Sequence, residues 1–119
     1  MVEPASVRLG SDVIIEPLAV LMGSAEGRLE VGDGSLIGPH AYLQGLGGLR
    51  IGRQVGVGAG ALMLTAVHAE TPPGAPIGEA PLRYGTIEIG DGCDIGVGAI
   101  LLPGTRLEPG IQVGGGGPR

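Results

Sequence analysis

Few side chains in this sequence can do acid–base or nucleophilic chemistry, and one of them stands in a telling place. Only two histidines and one cysteine occur in 119 residues. His68 closes the run MLTAVH and is followed at once by the long stretch AETPPGAPIGEAPLRYGTIE, after which the chain resumes with IGDGCDI. A neutral imidazole accepts a proton near pH 7, so a histidine at the mouth of a long insertion is a candidate general base. The insertion supplies further polar candidates in Glu70, Glu79, Arg83 and Tyr84. Glu70 or Glu79 could orient the imidazole, and Arg83 and Tyr84 could line an acceptor pocket. His40 occupies an outward turn, where a solvated role is the commoner one. Cys93 falls at a small inward position and reads as a buried apolar side chain rather than a nucleophile.

What must position His68 is a six-residue beat. Apolar residues recur at Leu9, Ile15 and Leu21, then at Val31, Ile37 and Leu43. They return at Ile51, Val57 and Met63, at Ile89, Ile95 and Leu101, and finally at Leu107 and Val113. Glycine often follows the beat, and a compact residue such as Ser35, Ala41, Val55, Ala61, Cys93 or Ala99 stands four places after it. Ala25, Gly47 and Val67 fall at the same step. Strands alternate with period two and amphipathic helices with period 3.6, so neither accounts for sixes. A short strand followed by a turn, three times per coil, does. Each coil then has backbone partners only when neighbours stack.

The interruptions carry as much information. Counting in sixes, spare residues fall at 27–30, 49–50 and 69–88, each time after the third step of a coil. They therefore leave along one edge of a three-sided solenoid. The expectation is an all-β chain forming a single domain over 1–119. It is a triangular prism of about five coils with one long irregular loop at 69–88.

Composition excludes other classes. The net charge of −5 lacks the basic footprint of a nucleic-acid binder. One cysteine allows no intramolecular disulfide and no cysteine-rich zinc site. The start MVEPASVRLGSD is not a leader of basic and apolar regions, and no stretch reaches membrane-span length. A cytoplasmic protein without a membrane or nucleic-acid partner is expected. The glycine-rich VGVGAGA has no lysine and no following helix, so it is not a phosphate loop.

The hexad pattern, with LTAVH, Tyr84-Gly85, Ile89-Gly90-Asp91 and Leu102-Pro103-Gly104, resembles the hexapeptide-repeat acyltransferases over about Leu9 to Gly117. The branch it is most similar to is that of the maltose and galactoside O-acetyltransferases and related sugar and antibiotic acetyltransferases. The resemblance implies a left-handed parallel β-helix, which period alone does not dictate. It also implies a homotrimer with acetyl-CoA as cosubstrate in a groove between prisms, a sugar-like hydroxyl or amino acceptor, and no metal. By the same resemblance His68 is the base and the backbone N–H of Val97 the oxyanion donor. Gly96, Gly98, Gly114 and Gly115 accept the pantetheine arm, and Arg119 faces the CoA phosphates. Glu70, Arg83, Tyr84 and His40 belong to the acceptor side. The family usually carries tryptophan where this chain has Asp94, and a polar residue one coil below the histidine, a place assigned here to Gly38-Pro39-His40. Two competitors share the prism. One is a scaffold or binding solenoid without catalysis. The other is a γ-carbonic-anhydrase-like metalloenzyme, whose site needs three histidines, against the two present.

Overall fold

The computed structural model describes residues 6–24 and 27–115. The six-residue beat becomes a left-handed parallel β-helix with three flat faces. Face A stacks β1 (Val7–Leu9), β4 (Leu29–Val31), β7 (Leu49–Ile51), β12 (Ile87–Ile89) and β15 (Arg106–Leu107). Face B stacks β2 (Ile14–Ile15), β5 (Leu36–Ile37), β8 (Gly56–Val57), β13 (Asp94–Ile95) and β16 (Gln112–Val113). Face C stacks β3 (Val20–Met22), β6 (Tyr42–Gln44), β9 (Leu62–Leu64) and β14 (Ile100–Leu101). All these pairings are parallel and in register, beat residue over beat residue, as in Leu21↔Leu43↔Met63↔Leu101. Among the described residues, no helix is long and apolar enough to cross a membrane.

The beat residues fill the inside of the prism. Ile37, Leu43, Met63 and Ile95 are buried, and so are the compact residues Ala41, Val55, Ala61, Cys93 and Ala99. Ser35, a polar residue at a compact position, is buried because its hydroxyl donates to Gly52 O (2.9 Å) and accepts from Val55 N–H (3.0 Å). Cys93 is buried as expected, its thiol donating to Glu108 O (3.1 Å). Leu9 and Ile15, in the first coil, are far more exposed than their counterparts in the middle coils. A middle coil is covered from above and below, whereas an end coil is covered from one side.

All three insertions leave at the corner between faces C and A, as the phase of the count requires. Their bounds need correction. Leu29 and Glu30, Leu49 and Arg50, and Ile87 and Glu88 are strand residues of face A, not spare ones. Leu29, Leu49 and Ile87 are 0%, 1% and 0% exposed. They take the compact inward place expected of Ala25, Gly47 and Val67. Ala25 lies outside the described residues, and Gly47 and Val67 are half-buried at the corner and beyond it. The reason is strand parity: the residue two before a beat points inward with it. A count carried forward from the previous coil loses that phase across an insertion. Nor is 69–88 irregular. β10 (Ala66–His68) and β11 (Leu82–Tyr84) pair antiparallel as a ribbon, with a 3₁₀ turn at Ile77–Glu79 between them.

Corner glycines let consecutive coils touch. A Cβ on Gly58 would lie 2.6 Å from Val97 N and 2.7 Å from Gly96 C. Asp33 and Asp91 brace the corner between faces A and B. Each carboxylate accepts an N–H from the coil below, from Ser11 and Arg53, at 2.8 Å.

These contacts predict opposite outcomes for two glycine substitutions. Gly58→Ala should cost about 1–3 kcal/mol of unfolding free energy through overpacking. Gly78→Ala, which meets nothing within 4 Å, should stay within about 0.5 kcal/mol of wild type. Denaturant titration of both variants checks the difference.

Candidate active site

The ribbon that carries His68 stands on a buried polar anchor. Thr65 is 0% exposed, directly before β10. Its N–H and that of Ala66 both donate to Gln44 Oε1, at 3.0 and 2.8 Å. The Thr65 hydroxyl donates to Gln44 O (2.7 Å) and accepts the Gly47 N–H (2.9 Å). Thr65 O takes the Gly85 N–H (2.9 Å), closing the root on the β11 side. The chain is leaving a parallel stack here, so its N–H groups lose their strand partners and the Gln44 amide replaces them. Gln44 and Thr65 were not among the expected site residues. Thr65 is visible in the LTAVH motif, but nothing in the sequence connects it to a glutamine one coil below. The same contact corrects another expectation: the residues beneath the root are Gln44–Gly48, and Gly38-Pro39-His40 lies at a different corner.

Register along the ribbon sorts the candidates. Ala66 pairs with Tyr84, Val67 with Arg83 and His68 with Leu82. Side chains two apart on a strand, and those directly across from them, share a face. His68 and Tyr84 therefore project on one face of the ribbon and Arg83 on the other. Glu70 is exposed just beyond β10.

The ring of His68 is fixed by its backbone partner. His68 Nδ1 lies 3.1 Å from Ala80 O. A carbonyl only accepts, so Nδ1 is the donor, and in the neutral ring Nε2 is then the acceptor. Among the described residues the orienting group is this carbonyl, supplied by the returning arm of the insertion, rather than Glu70 or Glu79. Ala80 itself is buried, which holds the carbonyl in place.

The remaining candidates occupy the corner between faces B and C. His40 is exposed there with φ 60°, and Val97, 66% exposed, is two coils above it. Among the described residues the Val97 N–H has no acceptor, and Ala59 N–H at the same corner shares that condition. Gly96, Gly98, Gly114 and Gly115 are on the same edge. Packing within the chain already explains two of them. A Cβ on Gly96 would sit 2.6 Å from Gly115 N, and Gly98 has φ 69°. Asp94 points outward from face B. Arg119 lies outside the described residues. Within one chain, then, His68 and Val97 are on different edges, separated by the width of face C.

A cavity of about 490 Å³ opens at the His68 edge, lined by Ser24, Leu46, Gly47 and Tyr84.

No protein-family model and no curated protein matches the chain. Solved structures do. The fold is shared with AntD. This N-acyltransferase from Bacillus cereus, in complex with dTDP and 3-hydroxybutyryl-CoA, superposes with a TM-score of 0.78 at 21% identity, over 94% of this chain and 61% of AntD. A variant of AntD in complex with dTDP-4-amino-4,6-dideoxyglucose and Coenzyme A gives a TM-score of 0.80 at 21% identity, over 96% of this chain and 62% of that one. The chain thus spans about three-fifths of AntD's length.

If the Gln44 amide holds the ribbon root, Gln44→Leu should leave two N–H groups without acceptors and cost about 2 kcal/mol locally. Hydrogen exchange at Thr65 and Ala66 should accelerate while the amides of β6 and β9 stay protected.

Proposed function

We propose that this protein is an acyl-CoA-dependent acyltransferase. It moves an acetyl group from acetyl-CoA to a hydroxyl or amino group of a sugar or similar small acceptor, with His68 as the base. The observation that carries this reading is the contact between His68 Nδ1 and Ala80 O. With Nδ1–H bonded to Ala80 O, the neutral ring offers Nε2 as proton acceptor on an exposed histidine. The fold shared with AntD, an enzyme solved with acyl-CoA, supports the same reaction class.

The step balances as follows. The acceptor oxygen or nitrogen attacks the thioester carbon as its proton passes to Nε2 of His68. The carbonyl oxygen becomes an oxyanion, met by a positioned N–H donor. The C–S bond then breaks, and the departing sulfur takes the proton from the imidazolium. Val97 N–H is our candidate for the oxyanion donor. Gly96, Gly98, Gly114 and Gly115 form the wall for the pantetheine arm, and Arg119 serves the phosphates. Glu70, Arg83, Tyr84 and His40 are the acceptor-side candidates.

His68 and Val97 are on different edges of one prism, so this chemistry requires a second copy. Faces A and C differ in a way that favours face C as an interface. Outward residues on face A run Arg8, Glu30, Arg50, Glu88 and Arg106, alternating in sign at each stacked pair. On face C the same column reads Val20, Tyr42, Leu62 and Ile100. Charged columns stay in water, whereas a continuous apolar column marks an interaction surface. We assign face C to the homotrimer contact, which brings the His68 edge of one protomer to the Val97 edge of another.

Two measurements test this reading. His68→Ala should lower kcat for thiol release from acetyl-CoA by about 10²–10⁴-fold. Turnover unchanged in that variant removes His68 as the base, and no acyl transfer with any sugar leaves the scaffold reading. Ile100→Glu should convert a sedimenting trimer to monomer and abolish turnover without unfolding the prism. A wild-type monomer would remove the shared site.

A further inference from the structure

We infer that Gln44 is a positioning residue for the His68 imidazole. By pinning the root of the ribbon it fixes the pairing register that brings Ala80 O to the ring, and so selects which ring nitrogen is open. This rests on the acyl-transfer reading and adds to it a residue one coil away that acts on the base from outside the site.

Gln44 is out of character with its column. It ends β6, with Met22 below it and Leu64 above it in register. Leu43 points into the core, so its neighbour Gln44 points outward. A half-buried amide between two apolar side chains is held by the bonds it makes. Its Oε1 accepts two N–H groups, from Thr65 (3.0 Å) and Ala66 (2.8 Å), where the chain leaves the prism. Both go to the one oxygen, so the amino half of the amide is dispensable in this role. Gln44 does not line the cavity at the His68 edge. An effect of Gln44 on the reaction therefore passes through the ribbon.

The ribbon carries that effect to the ring. Ala66 pairs with Tyr84, Val67 with Arg83 and His68 with Leu82, and Ala69 N–H donates to Pro81 O (2.8 Å). Farther out, Ala75 N–H to Pro72 O and Glu79 N–H to Pro76 O close local turns. Pro72, Pro73, Pro76 and Pro81 bring no N–H to the pairing. An isolated two-stranded ribbon is marginal in water. This one meets the prism through the hydrogen bonds of its root, where Thr65 is fully buried.

Register is then decisive, because a one-residue slip exchanges the two faces of a strand. In the observed register the carbonyl at the ring is that of Ala80, 3.1 Å from Nδ1. Which nitrogen of a neutral imidazole carries the proton is set by the bond the other makes. With the root released, Ala80 O is no longer held against Nδ1, and the ring reverts to the Nε2–H form that an unrestrained histidine favours. The open nitrogen is then the wrong one.

The chain has two histidines, so nitrogen NMR of the full chain reads each ring separately. His68 is assigned by comparison with His68→Ala. Gln44→Leu removes the oxygen and suits the apolar column, so the prism should stay folded. Gln44→Glu keeps an oxygen at the same reach. At a pH high enough to keep the ring neutral, wild type and Gln44→Glu should show His68 protonated on Nδ1, and Gln44→Leu mainly on Nε2. In turnover, Gln44→Leu should lower kcat by about 10–10²-fold with the acetyl-CoA KM unchanged. Gln44→Glu should restore most of that loss.

Nδ1–H retained in Gln44→Leu, or a kcat loss in Gln44→Glu as large as that in Gln44→Leu, overturns the inference. If acyl transfer requires His68 and Gln44→Leu turns over as wild type, the acyltransferase reading stands and the inference falls. If the tautomer responds as expected in a chain that transfers no acyl group, the control of the imidazole by Gln44 stands and the reaction falls.

Discussion

Everything in this molecule follows from the requirement that successive coils lie flush, close enough for each backbone group to find a partner one coil away. Gly10, Gly32, Gly38, Gly52 and Gly58 all donate their N–H to a carbonyl of the next coil at 2.7–2.8 Å. Such contact leaves no room for a Cβ at Gly58 or Gly96 and no room for spare chain between coils. An insertion must leave sideways at a corner. It must also return in phase, because a one-residue slip would turn the inward side chains outward.

That constraint makes the His68 ribbon a built feature rather than a slack loop. The ribbon departs where the parallel ladder stops, and Gln44 and Thr65 take over the hydrogen bonding that the ladder no longer supplies. Its two arms pair with each other, and the return arm presents Ala80 O to the imidazole. An exposed histidine on an extended arm would otherwise sample many orientations; here one ring nitrogen is held and the other left open.

The three faces then divide the surface. The Arg–Glu column of face A opposes unlike charges at each step, with Arg106 Nε 3.7 Å from Glu88 Oε2. Exposed pairs of this kind add at most about 1 kcal/mol each, so solubility and register are the larger effects. Face C, with Val20, Tyr42, Leu62 and Ile100 in line, has the opposite character. The same stacking that aligns the core thus aligns the outward side chains into columns.

By itself the sequence determined the period, the prism, the inward set from Ile37 to Ile95 and the edge from which every insertion leaves. These are legible because a strictly repeating geometry imposes itself on each coil separately, six residues at a time. It also pointed to His68, and to Glu70, Glu79, Arg83 and Tyr84 in the long interruption beside it, as candidates. Only the tertiary structure decided that Leu29, Leu49 and Ile87 re-enter as core, that 69–88 folds back as a paired ribbon, and that Arg83 and Tyr84 face opposite ways. Only it joined Gln44 to Thr65 and Ala80 O to His68, and set His40 and Val97 on another edge. Each of these depends on contacts between segments whose separation in sequence breaks the period, where counting carries no information about phase or partner.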